Sequence, residues 1–166
     1  MHVWSHVISA QEWETFRSIR LLALSDSPDA FGAKLEEVAQ LSETEWKARA
    51  DGPGPTIVLY EDDRPVAMGG LFAPLGETWA MVWGMWTAPD ARGRGYGGLI
   101  LRELIDSAQH DGRHVYLHVT EGNHSARDLY VRHGFETTAE WELLREDSSL
   151  RVEKLKLIAE GVVRDP

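Results

Sequence analysis

Apolar residues recur along this chain with two periods, near 2 and near 3.6, and the switches between them mark its elements. Residues 2–8 read as a short strand. Ser9-Ala10-Gln11-Glu12 is a capping box, a serine whose oxygen can accept from the third helical amide while the glutamate reaches back. It predicts a helix to about Leu24, with Trp13, Phe16, Ile19 and Ala23 on or near one face. Residues 25–31 contain Pro28 and are expected to be loop. A second helical region follows, restarted by the capping box Ser42-Glu43-Thr44-Glu45 and ending near Ala50. Residues 56–60 and 66–72 read as a hairpin about Asp62-Asp63-Arg64-Pro65, and residues 78–87 as a long strand rich in tryptophan. A helix is expected over roughly 95–110, where Leu101, Leu104, Ile105 and Ala108 make one stripe. Residues 115–119 alternate as a strand. Asn123 or Ser125 caps another helix, with Ala126, Leu129, Tyr130 and His133 on one face and Gly134 as its left-handed end. Residues 135–144 and 150–158 read as a final strand pair.

This order predicts a mixed α/β domain spanning residues 1–166. Its sheet is mainly antiparallel, with about six to seven strands and helices on both faces. A βαβ crossover is expected to join the tryptophan strand to strand 115–119. The Gly/Pro-rich stretch 51–55 has the length of an ordinary connection and need not divide the chain. No repeat or low-complexity tract interrupts it.

Composition narrows the function. The formal net charge is −10, which argues against a phosphate-backbone partner and leans slightly toward a cationic one. Cysteine is absent, so disulfides, thiolate metal sites and a cysteine nucleophile are excluded. No apolar run approaches a membrane span, and the first residues have neither the cationic start nor the apolar stretch of a secretory signal. A cytoplasmic protein with no membrane or nucleic-acid partner is expected.

The chemistry concentrates in Met85-Trp86-Thr87-Ala88-Pro89-Asp90-Ala91-Arg92-Gly93-Arg94-Gly95-Tyr96-Gly97-Gly98: a strand end, a glycine-rich loop with two arginines, and a helix start. Glycines let backbone N–H groups approach an anion, and the new helix directs its unpaired amides and dipole there. Arg92 and Arg94 add charge. Two glycines in a first helical turn cost ~1 kcal/mol each relative to alanine, which points to a close approach at Gly97 and Gly98. Gly93-x-Gly95-x-x-Gly98 also matches the dinucleotide-binding pattern, with Glu121 at a fitting distance for a ribose-binding acid. Against that reading, four residues separate strand from glycines, the unit sits mid-chain, and a strand meander precedes it. A P-loop is excluded because no Gly-Lys-Ser/Thr follows.

Arg92-Gly93-Arg94-Gly95-Tyr96-Gly97 resembles the Arg/Gln-x-x-Gly-x-Gly/Ala signature of the GNAT superfamily of acetyl-CoA-dependent N-acetyltransferases. A second part, the strand Leu117 to Val119, Asn123, Ala126, Leu129-Tyr130 and Gly134-Phe135, resembles the family's following strand and helix in the same order. The resemblance covers about residues 80–140. It implies that Met85, Trp86 and Thr87 lie along the pantetheine arm of acetyl-CoA. It also implies that the amides from Arg92 to Gly98 receive the pyrophosphate. Asn123 would bond the pantetheine or orient the next helix, with Ala126 beside it. Tyr130 would protonate the departing thiolate, and a backbone amide near Trp86 would stabilise the developing oxyanion. The acceptor would be a primary amine, acetylated directly. A non-catalytic acyl-CoA sensor is the competing class, and a homodimer is compatible with the resemblance.

The base for the amine remains open between Glu121, His118, Glu77 and an ordered water. His110, His114 and His118 are spaced by four, but a strand break falls between them and no carboxylate completes a ligand set, so no metal is expected. Strict alternation puts Trp79 and Trp83 on one sheet face and Trp86 on the other. The family analogy puts Trp46, Phe31 and Leu24 near the acceptor pocket.

Overall fold

Four residue pairs decide the shape of the sheet. Strand β4 (Trp79–Thr87) runs parallel to β5 (His114–Thr120) only from Trp79 opposite His114 to Val82 opposite Leu117. Beyond Val82 the two strands separate and leave a wedge between them. The computed structural model describes residues 1–158, and the end of the expected final strand region abuts residues outside that range.

The remaining strands are β1 (Val3–Val7), β2 (Thr56–Glu61), β3 (Arg64–Phe72), β6 (Phe135–Leu143) and β7 (Arg151–Leu157). Their order is β1-β2-β3-β4-β5-β7-β6, and every neighbouring pair except β4–β5 is antiparallel. The seven-stranded mixed sheet is the architecture that the alternating periods predict. The parallel pair arises because the helix between β4 and β5, α4 (Tyr96–His110), carries the chain back across the sheet.

Helices α1 (Trp13–Asp26), α2 (Leu35–Val38) and α3 (Glu43–Ala50) precede β2, and α5 (His124–Arg132) follows β5. Two adjacent glycines of β3 show how tightly both faces are covered. A Cβ on Gly69 would lie 2.8 Å from Ile100 of α4, and one on Gly70 would lie 2.3 Å from the Trp83 ring on the α1 side. Ile100, Leu101, Leu104 and Ala108 of α4 are wholly buried on one side; Phe16, Ile19, Ala23 and Leu24 of α1 fill the other. Burying side chains of this size stabilises the sheet by roughly 1.5–3 kcal/mol each before entropy is counted.

Two local expectations change. Residues 25–31 are not all loop: α1 continues to Asp26, and Pro28–Ala30 form a 3-10 turn that proline at its first position favours. Trp86 does not face away from Trp79 and Trp83. Between the pairs Gly70–Trp83 and Met68–Trp86, β3 advances two residues and β4 three. The extra residue is absorbed at Gly84, whose φ of +66° suits a glycine and turns the strand. The bulge resets the alternation, so Trp86 returns to the α1 side and its Nε1 donates to Asp26 at 3.0 Å.

Candidate active site

The wedge opens beside the bulge that resets β4. Its small cavity, about 60 Å³, is lined by Trp83, Gly84 and Met85 from β4, by residues 117–120 of β5, and by Asn123, Ala126 and Tyr130. It continues into a groove of about 410 Å³ that runs over the start of α4. The groove gathers Met85, Trp86, Thr87, Arg92, Gly93, Gly95, Tyr96, Gly97, Gly98, Asn123, Ala126 and Tyr130. Of the residues that the resemblance assigns to acetyl-CoA, Arg94 alone is absent from it.

The floor of the groove is an exposed helix start. Ser42 opens α3 with a capping box and acidic residues in its first turn. By contrast, α4 begins at Gly95, in the left-handed conformation with φ +81°, with no side-chain cap and no acid in its first turn. Its first amides therefore have no side-chain acceptor, and a Cβ on Gly93 or Gly95 would meet nothing within 4 Å. Such a terminus suits an anion approaching from the groove. Gly97 and Gly98 serve a different close approach. Their Cβ positions lie 3.1 Å from Leu129 and 3.3 Å from His133, so α5 packs directly on the helix backbone there.

Side chains from three elements hold the loop. Asp90 takes a two-pronged bond from Arg64, 2.8 Å on each oxygen. Arg92 donates to the Thr87 carbonyl at 2.9 Å and to Asp26 at 2.6 Å. Arg94 turns beneath the loop to Glu61, which also accepts from the Tyr96 hydroxyl at 2.5 Å. In this arrangement the charge of Arg94 is paired with the buried carboxylate of Glu61 instead of facing the groove. Asp26 and Glu61 are held below the usual carboxylate range, Asp26 chiefly by the Trp86 N–H and Glu61 chiefly by the Tyr96 hydroxyl. Neither acid was foreseeable from spacing, since each lies in a different element from its partners. Arg132, at the end of α5, is a groove cation that the motif reading missed.

Tyr130 is buried at the junction of wedge and groove, with its ring edge-on to Phe135 at 6.1 Å between centroids. Burial alone pushes its phenol well above the ordinary value, so it stays a protonated donor. Asn123 caps α5, its side chain accepting from the Ala126 amide at 3.4 Å.

The three side chains weighed as bases fare differently. Glu121 accepts from the Arg151 amide at 3.0 Å and its guanidinium at 3.2 Å, and is held below the usual range by them. Glu77 sits in the exposed β3–β4 turn. His118 lines the wedge, 3.4 Å from Glu142. Among the described residues no group of three His, Asp or Glu side chains comes together to hold a metal. None of their helices is long and apolar enough to cross a membrane.

On the α1 side lies a larger cavity of about 770 Å³, lined by Trp46, Trp79, Trp83, Arg20 and Arg49 among others. Trp46 lines this cavity. Phe31 lines the wedge and groove instead, and Leu24 is core.

Comparison with known proteins follows this geometry. The model of the acetyltransferase (GNAT) family matches residues 16–135. No curated protein matches the sequence. Among solved structures, a GNAT-family acetyltransferase from Streptococcus pneumoniae superposes with a TM-score of 0.78 at 16% identity, covering 93% of this chain and 98% of the other. YncA from Salmonella typhimurium, solved with its cofactor acetyl-CoA, gives 0.72 at 15%, covering 99% of each. The ribosomal-protein-S18-alanine N-acetyltransferase from Escherichia coli gives 0.70 at 17%, covering 99% of this chain and 100% of the other. At these identities the likeness is one of fold.

Proposed function

This chain belongs to the GNAT acetyltransferase family, and from that premise we propose that it transfers an acetyl group from acetyl-CoA to a primary amine by direct attack. The observation that carries the reading is continuity: an uncapped helix start without acids, a groove, and a wedge ending at a buried phenol. The groove residues suit the co-substrate. The amides from Gly93 to Gly98 would receive its pyrophosphate, Met85 to Thr87 would bond its pantetheine arm, and Arg132 adds a cation at the rim.

Acetyl-CoA supplies an activated thioester carbonyl. The β4 backbone near Trp86, turned by the bulge at Gly84, offers an N–H to the oxygen that gains charge as the C–N bond forms. Tyr130 gives a proton to sulfur as the C–S bond breaks. His118, which lines the wedge, is proposed to take the proton the amine loses. Holding both reactants in one cleft makes the attack effectively unimolecular.

Calorimetric titration with acetyl-CoA, with NADH as the comparison, tests the reading, followed by thiol release over an amine panel. Acetyl-CoA binding with amine-dependent thiol release supports it. Binding without turnover of any amine would favour an acyl-CoA sensor, and binding of NADH alone would overturn it.

A further inference from the structure

Two residues that line the α1-side cavity carry a buried donor with no hydrogen-bond partner among the described residues: Nη1 of Arg20 and Nε1 of Trp46. The Arg20 guanidinium is sandwiched between aromatic faces, 5.0 Å from the Phe31 centroid and 5.4 Å from that of Trp83. Burial, then the charge of Arg49, brings its pKa down to about 10, so it remains a cation at neutral pH. Arg49 lines the same cavity, and among the described residues no aspartate or glutamate does. A protein of net charge −10 thus presents here a cavity whose charged lining is cationic. This reverses the lean toward a cationic partner that its overall charge suggests.

A largely buried guanidinium without a carboxylate partner is costly, and an incoming anion would offset that cost. The cavity abuts the reaction wedge. Trp83 lines both, and a Cβ placed on the bulge residue Gly84 would lie 3.4 Å from Arg20 Nη1. Away from Arg20 the walls are aromatic, with Trp79 and Phe72 packed edge-on at 5.9 Å.

We propose that the acceptor is an amine that also carries a carboxylate and an apolar body, an apolar amino acid in chemical class, with Arg20 receiving the carboxylate beside Gly84 while the amine faces the β4–β5 wedge. This rests on the acetyl-transfer reading. The apolar body lies toward Trp46 and Trp79, and Arg20 acts as a specificity residue rather than a participant in bond making.

The test pairs each of leucine, methionine, phenylalanine and tryptophan with the amine left by removing its carboxylate, at saturating acetyl-CoA. At least one amino acid is expected to exceed its partner in kcat/KM by about tenfold or more, because a site built for a charged group rejects the analogue lacking it. Arg20→Met should erase that preference through KM while leaving the KM for acetyl-CoA within about twofold, and Arg20→Lys should restore part of it. Equal or better use of the decarboxylated amines, or a preference that survives Arg20→Met, overturns the proposal. A second measurement stands apart from turnover: titration of wild type and Arg20→Met with N-acetyl-L-phenylalanine and with its amide. Binding that needs both the carboxylate and Arg20 supports the proposal even if no amine is acetylated. Equal binding of acid and amide overturns it. Failure of acetyl-CoA to bind would instead count against the acetyl-transfer reading.

Discussion

Arg92 Nη2 lies 2.6 Å from Oδ2 of Asp26, so the loop before α4 is fastened to the last turn of α1, 66 residues away in sequence. The same oxygen accepts from Trp86 Nε1 at 3.0 Å. One carboxylate thus fixes both the loop that would receive the pyrophosphate and the strand that would bond the pantetheine arm. Asp26→Asn is expected to weaken acetyl-CoA binding by about three- to tenfold while leaving the fold intact, since a positioning contact and not a direct one is lost. Calorimetry with acetyl-CoA measures it.

Arg92→Ala and Arg94→Ala should behave differently. Arg92 lines the groove, whereas Arg94 is turned to Glu61. Loss of Arg92 should weaken acetyl-CoA binding and flatten its salt dependence. Loss of Arg94 should change affinity less than about threefold, because a distant screened charge contributes little. It should lower the urea midpoint instead, by leaving the Glu61 carboxylate without its cation. Equal losses of affinity in the two variants would contradict this division.

Tyr130→Phe should lower kcat by about 10²-fold or more, the usual contribution of a positioned acid, with acetyl-CoA affinity unchanged within about twofold. Because burial raises the phenol's pKa, wild-type activity should show no alkaline loss from Tyr130 until above its ordinary value of about 10. A pH–rate profile of kcat reads both statements.

Stability should respond to acid in a defined window. Glu12 is held at about 2, chiefly by the Ser9 hydroxyl, and Asp26, Asp90 and Glu153 are also held below their ordinary values by their partners. A carboxylate depressed in the folded state binds its proton more readily when unfolded. Its contribution is therefore complete above the unfolded value near 4 and is lost as pH falls through the folded value. Urea midpoints should be flat from pH 7 to about 5 and fall steeply below about 4. Glu12→Gln should reduce that slope.

Gly97→Val should be resisted by α5. The Cβ of residue 97 would lie 3.1 Å from Leu129 Cδ2, and overpacking of this kind costs about 1–3 kcal/mol. Leu129→Ala in the same chain should recover part of the loss, a coupling that a double-mutant cycle measures by thermal unfolding.

The stripe of α4 and both serine capping boxes were legible in the sequence because they depend on residues three or four apart. So was the glycine-rich loop ahead of α4, since its glycines and the following helix are contiguous. What could not be read were features joined across elements. Asp26 and Glu61 look like any surface acids until the fold brings them under the loop. Arg20 looks like one more charge on an amphipathic helix, although its guanidinium lies between two rings. Gly97 and Gly98 read as openings for a ligand, and nothing in their spacing shows that a Cβ there would also meet Leu129 of α5 and His133 at its end. Trp86 was misplaced for a different reason: alternation assumes an uninterrupted strand, and a glycine inside a strand marks only the chance of a bulge.

That bulge gives β4 a change of parity. Up to Trp83 the odd-numbered residues face α1; after Gly84 an even-numbered one, Trp86, does. One inserted residue therefore acts as a hinge in the numbering itself, serving the large cavity with one phase of the strand and the loop anchor with the other. A deletion at residue 84 would be a frameshift in space. It would turn Trp86 away from Asp26 and return the strand to a single phase, with every remaining side chain chemically unchanged.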